Sequence, residues 1–384
     1  MENRDGQTDF AGEVPVSRKG TGILYLAFLF LLGIVLVVSY FWTNWFSETG
    51  LVVFFLFYFV TTVLVIWLIR TTKTNSLWTD AWKRLFRNKL AVFGLIIVWL
   101  MVLFVAVGPS IILWTTGFTY DFIPPTSDLV KSFPPSMQHP MGTDEQGRDL
   151  LARVLQGGRI SLAVGLISTI VSLLIGVSYG ATAGYLGGKI DNFMMRVVDI
   201  IYSIPYILIV IVLLSVFGGG NTPAWIQWLS EKFGGAGNAG MSQIFLLFFA
   251  LGLVSWLTMA RVVRGQILSL KNQDFVMAAR ATGVSTPAII FRHLVPNALG
   301  PVIVYATLTV PSVMLSEAFL SFLGIGVQPP YASWGSLCAD GVKNLAIYPW
   351  QLIFPGVTMA LTLFSLNFLG DGLRDALDPQ TRKF

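Results

Sequence analysis

The chain has 384 residues, of which 54% are hydrophobic and only 12% are charged, about half the charged share of a soluble domain. Several uncharged apolar runs exceed the ~20 residues that a membrane helix needs, which excludes a soluble globular protein and implies an all-α polytopic membrane protein; a transmembrane barrel would alternate in short segments. The net charge of +5 is scattered between the apolar runs, so it reads as a topology signal and argues against a nucleic-acid partner.

Residues 1–20 are polar, and the uncharged run Thr21–Ser47 is too long for a signal-peptide core, so it is expected to be a retained first span. Leu51–Ile69 is the second. Arg70, Lys73, Lys83, Arg84, Arg87 and Lys89 then mark a cytoplasmic loop. Within it Trp78, Trp82, Leu85 and Phe86 fall on one helical face, which fits either an amphipathic helix on the membrane surface or a plain juxtamembrane linker. Leu90 to about Val107 is the third span. Residues 108–159 are rich in proline and acids and are expected outside, in extended and turn structure. There Thr143 or Asp144 is placed to cap a helix starting near Glu145, with Arg148 and Asp149 suited to ion pairs. No nucleophile or metal ligand stands beside these acids, so catalysis is not indicated.

Ile160–Gly188 is the fourth span, and Gly176, Gly180 and Gly184 give it a face for close helix crossing. Lys189 and Arg196 flank a short inside turn. The fifth span, from about Val197 to Phe217, carries Asp199 near its inner end and Pro205 as an expected kink. Residues 218–243 are a glycine-rich external insertion with one short interfacial helix around Trp225, Trp228 and Leu229. Ile244–Ala260 is the sixth span, and Arg261, Arg264, Lys271, Arg280 and Arg292 place the following stretch inside. The seventh span, about Ala298–Leu320, holds Pro301 and Pro311 and ends near Glu317; the eighth runs from Pro349 to about Leu369. Eight spans put both termini in the cytoplasm. Cys338 is the sole cysteine, and His139 and His293 lie far apart without ligand-spaced neighbours, so neither an intrachain disulfide nor a metal site is expected.

The chain is organised around DFVMAARATGVSTPAIIFRHLVP, Asp274 to Pro296, between the sixth and seventh spans. Phe275, Ala278, Ala279 and Thr282 recur at helical spacing, and the two alanines allow a partner to approach closely. Gly283 permits a sharp turn. Pro287 suits the first turn of a second helix through Ile289, Ile290 and Leu294, and Pro296 precedes the membrane entry. Two short helices around a turn, held at a membrane face, form something that a soluble partner can grip; the plainer reading is a connecting loop.

The order Ala278-Ala279, Gly283, then a hydrophobic stretch ending Leu-x-Pro resembles the "EAA" loop of the inner-membrane subunits of binding-protein-dependent ABC importers, with Met277 where the family usually has Glu. From about Leu77 onward the chain is similar to oligopeptide/dipeptide permease subunits of the "C" type, through WTDAWKRLFRNKLAVFG, GTDEQGRDLL, GGRISLAVG, GYLGGKIDNFMMRVVDIIYSIP, WLTMARVVRGQILSLKNQDF, SEAFLSFLGIGVQPPYASWG and LGDGLRDALDP. The resemblance implies a six-helix type I importer permease core, preceded here by two extra spans. Residues 1–75 then form an extension, 76–159 the family's N-terminal segment, 160–375 the permease domain with its coupling loop at about 265–296, and 376–384 a cytoplasmic tail.

It further implies a non-catalytic permease subunit in a bacterial inner membrane, taking up peptides, most readily oligopeptides. Its partners would be a second, related permease, two ATPase subunits carrying ATP and Mg, an extracytoplasmic peptide-binding protein and membrane lipid. Asp274, Phe275, Met277, Ala278, Ala279, Arg280, Gly283 and Pro296 would form the ATPase-coupling loop. Asp199 and Glu317 are candidates for pathway charges or structural ones, and Asp371 and Arg374 sit near the inner face. No G-x-x-x-x-G-K-[ST] motif occurs, so energy must come from elsewhere. A gradient-driven carrier is the rival, yet it usually needs ionisable groups at mid-membrane, where this chain has few. A membrane scaffold is a further rival, and dipeptides, glutathione-like thiols or a nickel chelate are alternative cargoes.

Overall fold

In the computed structural model, residues 77–124, 132–218, 221–234 and 239–377 are described, all within one compact unit, Thr72–Phe384. The expected spans Thr21–Ser47 and Leu51–Ile69 lie outside the described residues, as does the tail from 378. The described residues are helical throughout, apart from turns and one isolated bridge, Thr143 to Asp149. The helices are α1 (Leu77–Arg87), α2 (Lys89–Thr116), α3 (Leu150–Leu186), α4 (Gly188–Tyr202), α5 (Tyr206–Phe217), α6 (Ala224–Gly234), α7 (Ala239–Leu270), α8 (Asp274–Ala281), α9 (Thr286–Phe322), α10 (Trp334–Lys343) and α11 (Trp350–Leu377). Among them α2, α3, α7, α9 and α11 are long and apolar enough to cross a membrane, and α4 with α5 makes a sixth if the bent pair is one span.

The expected kink at Pro205 is a full break: α4 and α5 meet at 81°. Pro205 has no N–H to continue a helix and pushes Ile204 out of the helical region, so α4 ends at Tyr202 and Pro205 becomes the residue before α5. The segment read as a short inside turn is thus a helix in its own right.

The core is the crossing of α3 and α7, and its glycines face the partner helix. A Cβ on Gly176 would lie 2.6 Å from the Met259 Cβ, and one on Gly184 3.0 Å from the Arg264 carbonyl oxygen. Ser168 Oγ donates to the Phe248 carbonyl across the same crossing, at 2.9 Å. A second cluster joins α2, α3, α9, α10 and α11 around Trp334. That indole is fully buried and donates from Nε1 to the Val154 carbonyl at 2.8 Å.

The fourth span starts ten residues earlier than its apolar run predicts, at Leu150, because the charged groups Asp149, Arg153 and Arg159 at its start each find a partner. Asp149 caps it, accepting the Ala152 N–H at 2.8 Å. Asp144 does not cap this helix, nor does Thr143. Asp144 closes the preceding turn, accepting the backbone N–H of Gln146 and Arg148 and the guanidinium groups of Arg148 (2.7 Å) and Arg153 (2.6 Å). Arg159 repairs α2. Pro109 removes the donor that the Val105 carbonyl would receive four residues on; Arg159 donates there from Nε at 3.0 Å, and from Nη2 to Ala106 at 2.8 Å.

Candidate functional site

The stretch between α7 and α9 is a helix, a glycine turn and a second helix, as its spacing predicts. Asp274 opens α8, its negative charge favourably placed at the helix N-terminus. Gly283 ends α8 in the left-handed region, at φ +76°. The Val284 N–H reaches back to the Ala279 carbonyl (3.1 Å) and the Gly283 N–H to that of Arg280 (3.0 Å), the paired closure of a Schellman turn, with Val284 and Ala279 in one apolar cluster.

The second half departs from expectation. The helix through Ile289, Ile290 and Leu294 is not a separate short element before the membrane. It opens α9, which continues unbroken from Thr286 to Phe322. Residues Ile289–Leu294 form a wide π turn, with the Val295 N–H bonded to the Ile290 carbonyl. Pro296 is the physical cause, since its ring would clash with the carbonyl four residues before it in a regular α-helix. Pro296 therefore sits inside a helix that links the loop rigidly to the span.

One apolar cluster fixes all of this. Val276 and Ala279 of α8 and Ile289, Ile290 and Leu294 of α9 are buried with Ala181 of α3, Met259, Val263 and Ile267 of α7, and Ala298 and Val302 farther along α9. The inward face is thus Val276 and Ala279, three residues apart. Of the face read from the sequence, Phe275, Ala278 and Thr282 are exposed, together with Met277 at 52%. Val276 was missed at the sequence level, although an i, i+3 pair with Ala279 was available to be seen. α8 therefore presents Phe275, Met277 and Ala278 outward, an apolar tip left exposed among the described residues.

Polar contacts brace the same corner. Arg280 donates from Nε to Tyr185 Oη at 3.2 Å, its guanidinium carbon 4.9 Å from that ring's centre, tying α8 to the end of α3. Lys271 Nζ donates to the Gly184 carbonyl at 3.2 Å. Arg264 grips Asp191 with two bonds, 2.5 Å from Nε and 2.7 Å from Nη2, tying α7 to α4. No spacing signal in the sequence joins residues 191 and 264.

The two candidate pathway charges do not meet. Asp199 lies in α4 and accepts from Arg261 Nη2 at 2.7 Å in an exposed pair, with the Arg261 guanidinium 4.3 Å from the Tyr202 ring centre. Glu317, near the other end of α9, is buried and accepts from Ser321 Oγ (2.7 Å) and Ser333 Oγ (2.6 Å), joining α9 to the cap of α10. Asp371 and Arg374 are exposed near the end of α11. No group of three or more His, Cys, Asp or Glu side chains among the described residues is arranged to hold a metal ion.

Comparison with known proteins converges on one family. Residues 150–383 match the model for the binding-protein-dependent transport system inner membrane component, and residues 76–126 match the N-terminal TM domain of oligopeptide transport permease C. The oligopeptide transport system permease protein OppC of Haemophilus influenzae is 47% identical over 310 residues, 80% of this chain and 90% of that protein. OppC of Bacillus subtilis is 42% identical over 312 residues, covering 81% and 92%. The dipeptide permease DppC of Bacillus subtilis is 41% identical over 310 residues, covering 79% and 86%. With its helical permease core and these matches over most of its length, the chain belongs to the family of inner-membrane components of binding-protein-dependent transport systems, in its oligopeptide permease C-type branch.

Proposed function

We propose that this chain forms half of the pathway of an ATP-driven peptide importer in a bacterial inner membrane. Oligopeptides are its cargo, and α8 receives force from a partner ATPase. The observation that carries this is the two-sided character of α8: Val276 and Ala279 are locked to α3, α7 and α9, while Phe275, Met277 and Ala278 face outward. Force on the exposed tip passes directly into two membrane helices, because α7 leads into α8 and the turn leads into α9 without a flexible tether. Met277, where the family usually has Glu, makes the contact more apolar.

A second, related permease completes the pathway, two ATPase subunits bind ATP and Mg, and an extracytoplasmic binding protein delivers the peptide. Asp199 and Glu317 act structurally in this reading, since each already has a hydrogen-bonded partner within the chain. Dipeptide uptake is the second reading, supported by the similarity to dipeptide permeases. Reconstitution in vesicles with the partner permease, the ATPases and the binding protein should give ATP-dependent accumulation of labelled oligopeptides. Uptake driven by an ion gradient without the ATPases would overturn the proposal, and accumulation of dipeptides alone would favour the second reading.

A further inference from the structure

We propose that α1, packed against the end of α11, is a recognition element for anionic phospholipid headgroups. α1 has two unlike faces. Ala81 and Leu85 are buried against Ala376, with Trp82, Leu373 and Leu377 packed around them. A Cβ on Gly372 would lie 3.2 Å from Leu85 Cδ1, so the end of α11 is held tightly to α1.

The outward face carries Lys83, Phe86 and Arg87, and Lys89 follows at the start of α2. None of the three cations is paired with an acid among the described residues. Phe86 is 54% exposed, and its ring stacks on Trp82 at 5.8 Å. Asn88 Oδ1 accepts the N–H groups of Leu90 and Ala91, at 3.1 and 3.3 Å, so α1 joins α2 through a capped corner.

Beyond that corner the exposed apolar residues continue through Leu90, Phe93 and Ile96 along a membrane-spanning helix. The aromatic edge of α1 is therefore continuous with the lipid-facing side of α2, and the unpaired cations lie where that side meets the headgroups. Aromatic rings at this level with basic side chains beside them fit an interfacial helix whose cations reach the phosphates. An anionic leaflet favours each such cation by about a factor of five at moderate salt, so three give a preference on the order of a hundredfold for anionic over zwitterionic lipid. The placement of this face in the inner leaflet rests on the topology of the proposed importer; the recognition itself does not require transport.

The full chain in lipid nanodiscs, without partner subunits, tests the proposal by hydrogen–deuterium exchange of residues 77–88. Exchange should be several-fold slower in phosphatidylglycerol-containing discs than in pure phosphatidylcholine, the difference should vanish in high salt, and the triple variant K83Q/R87Q/K89Q should lack it. That variant leaves Ala81 and Leu85 in place, and unchanged exchange of α7 reports that it is folded. Equal exchange in both lipids would overturn the proposal, as would protection that appears only when ATPase subunits are added, which would assign the face to a protein partner. A transport-dead protein that still shows the lipid effect would overturn the importer reading alone.

Discussion

Replacement of Gly283 separates backbone strain from partner contact at the tip of the loop. The residue sits at φ +76°, and a Cβ built there meets nothing within 4 Å. Ala and Leu therefore meet a similar local penalty, about 1–2 kcal/mol for the left-handed region, while the added Cβ itself clashes with nothing among the described residues. That penalty shifts the balance between the closed turn and a frayed one by a factor of about 5 to 30. Asn tolerates this conformation better than Ala or Leu. In vesicles holding the full complex, peptide imported per ATP hydrolysed should fall in the order Gly, Asn, Ala, and exchange of residues 274–286 should rise in the same order. Leu carries the strain of Ala plus bulk, so a further loss in G283L measures a partner packed on the turn. Normal coupling in G283L, or an Asn variant as damaged as the Ala one, would refute the reasoning.

Three other outcomes follow from named contacts. A double-mutant cycle on Asp191 and Arg264 (D191N, R264Q) should give a coupling energy of about 1–3 kcal/mol in unfolding, because the pair is bidentate and the Asp191 side chain is only 8% exposed. R159M should destabilise by about 2–3 kcal/mol in a thermal or denaturant assay, by withdrawing charged donors from the carbonyls of Val105 and Ala106 beside Pro109; in a P109A background the loss should shrink, since the Val105 carbonyl regains a backbone donor. Cys338 is buried, and burial first, then the nearby Glu317, pushes its thiol up to about 11. At pH 8 about one thiol in a thousand is ionised, so maleimide should label the native protein far more slowly than the unfolded one.

The long apolar runs made the spanning helices legible, because one period and one length decide them. Gly283 and the helix–turn–helix around it were legible for a similar reason: a glycine at a helix end has few other uses. The boundaries were not. Leu150–Arg159 reads as too polar for a span, and only the three-dimensional partners of Asp149, Arg153 and Arg159 make it helical. Pro205 and Pro296 look alike in sequence, yet one breaks a helix and the other widens a turn inside one. The difference lies in what surrounds each proline: Ile289, Ile290 and Leu294 hold the π turn in the core, whereas Ile204 is exposed beside Pro205. The inward face of α8 was misjudged because Phe275 and Val276 are both apolar and periodicity over eight residues does not choose between them.

The unreactive Cys338 also allows the central claim to be tested without first removing a native thiol. M277C should crosslink to an ATPase subunit in the assembled complex, with a yield that changes when ATP is bound, while V276C, facing the core, should not. Equal crosslinking at both positions, or none at Met277 in a complex that transports peptide, would contradict the account.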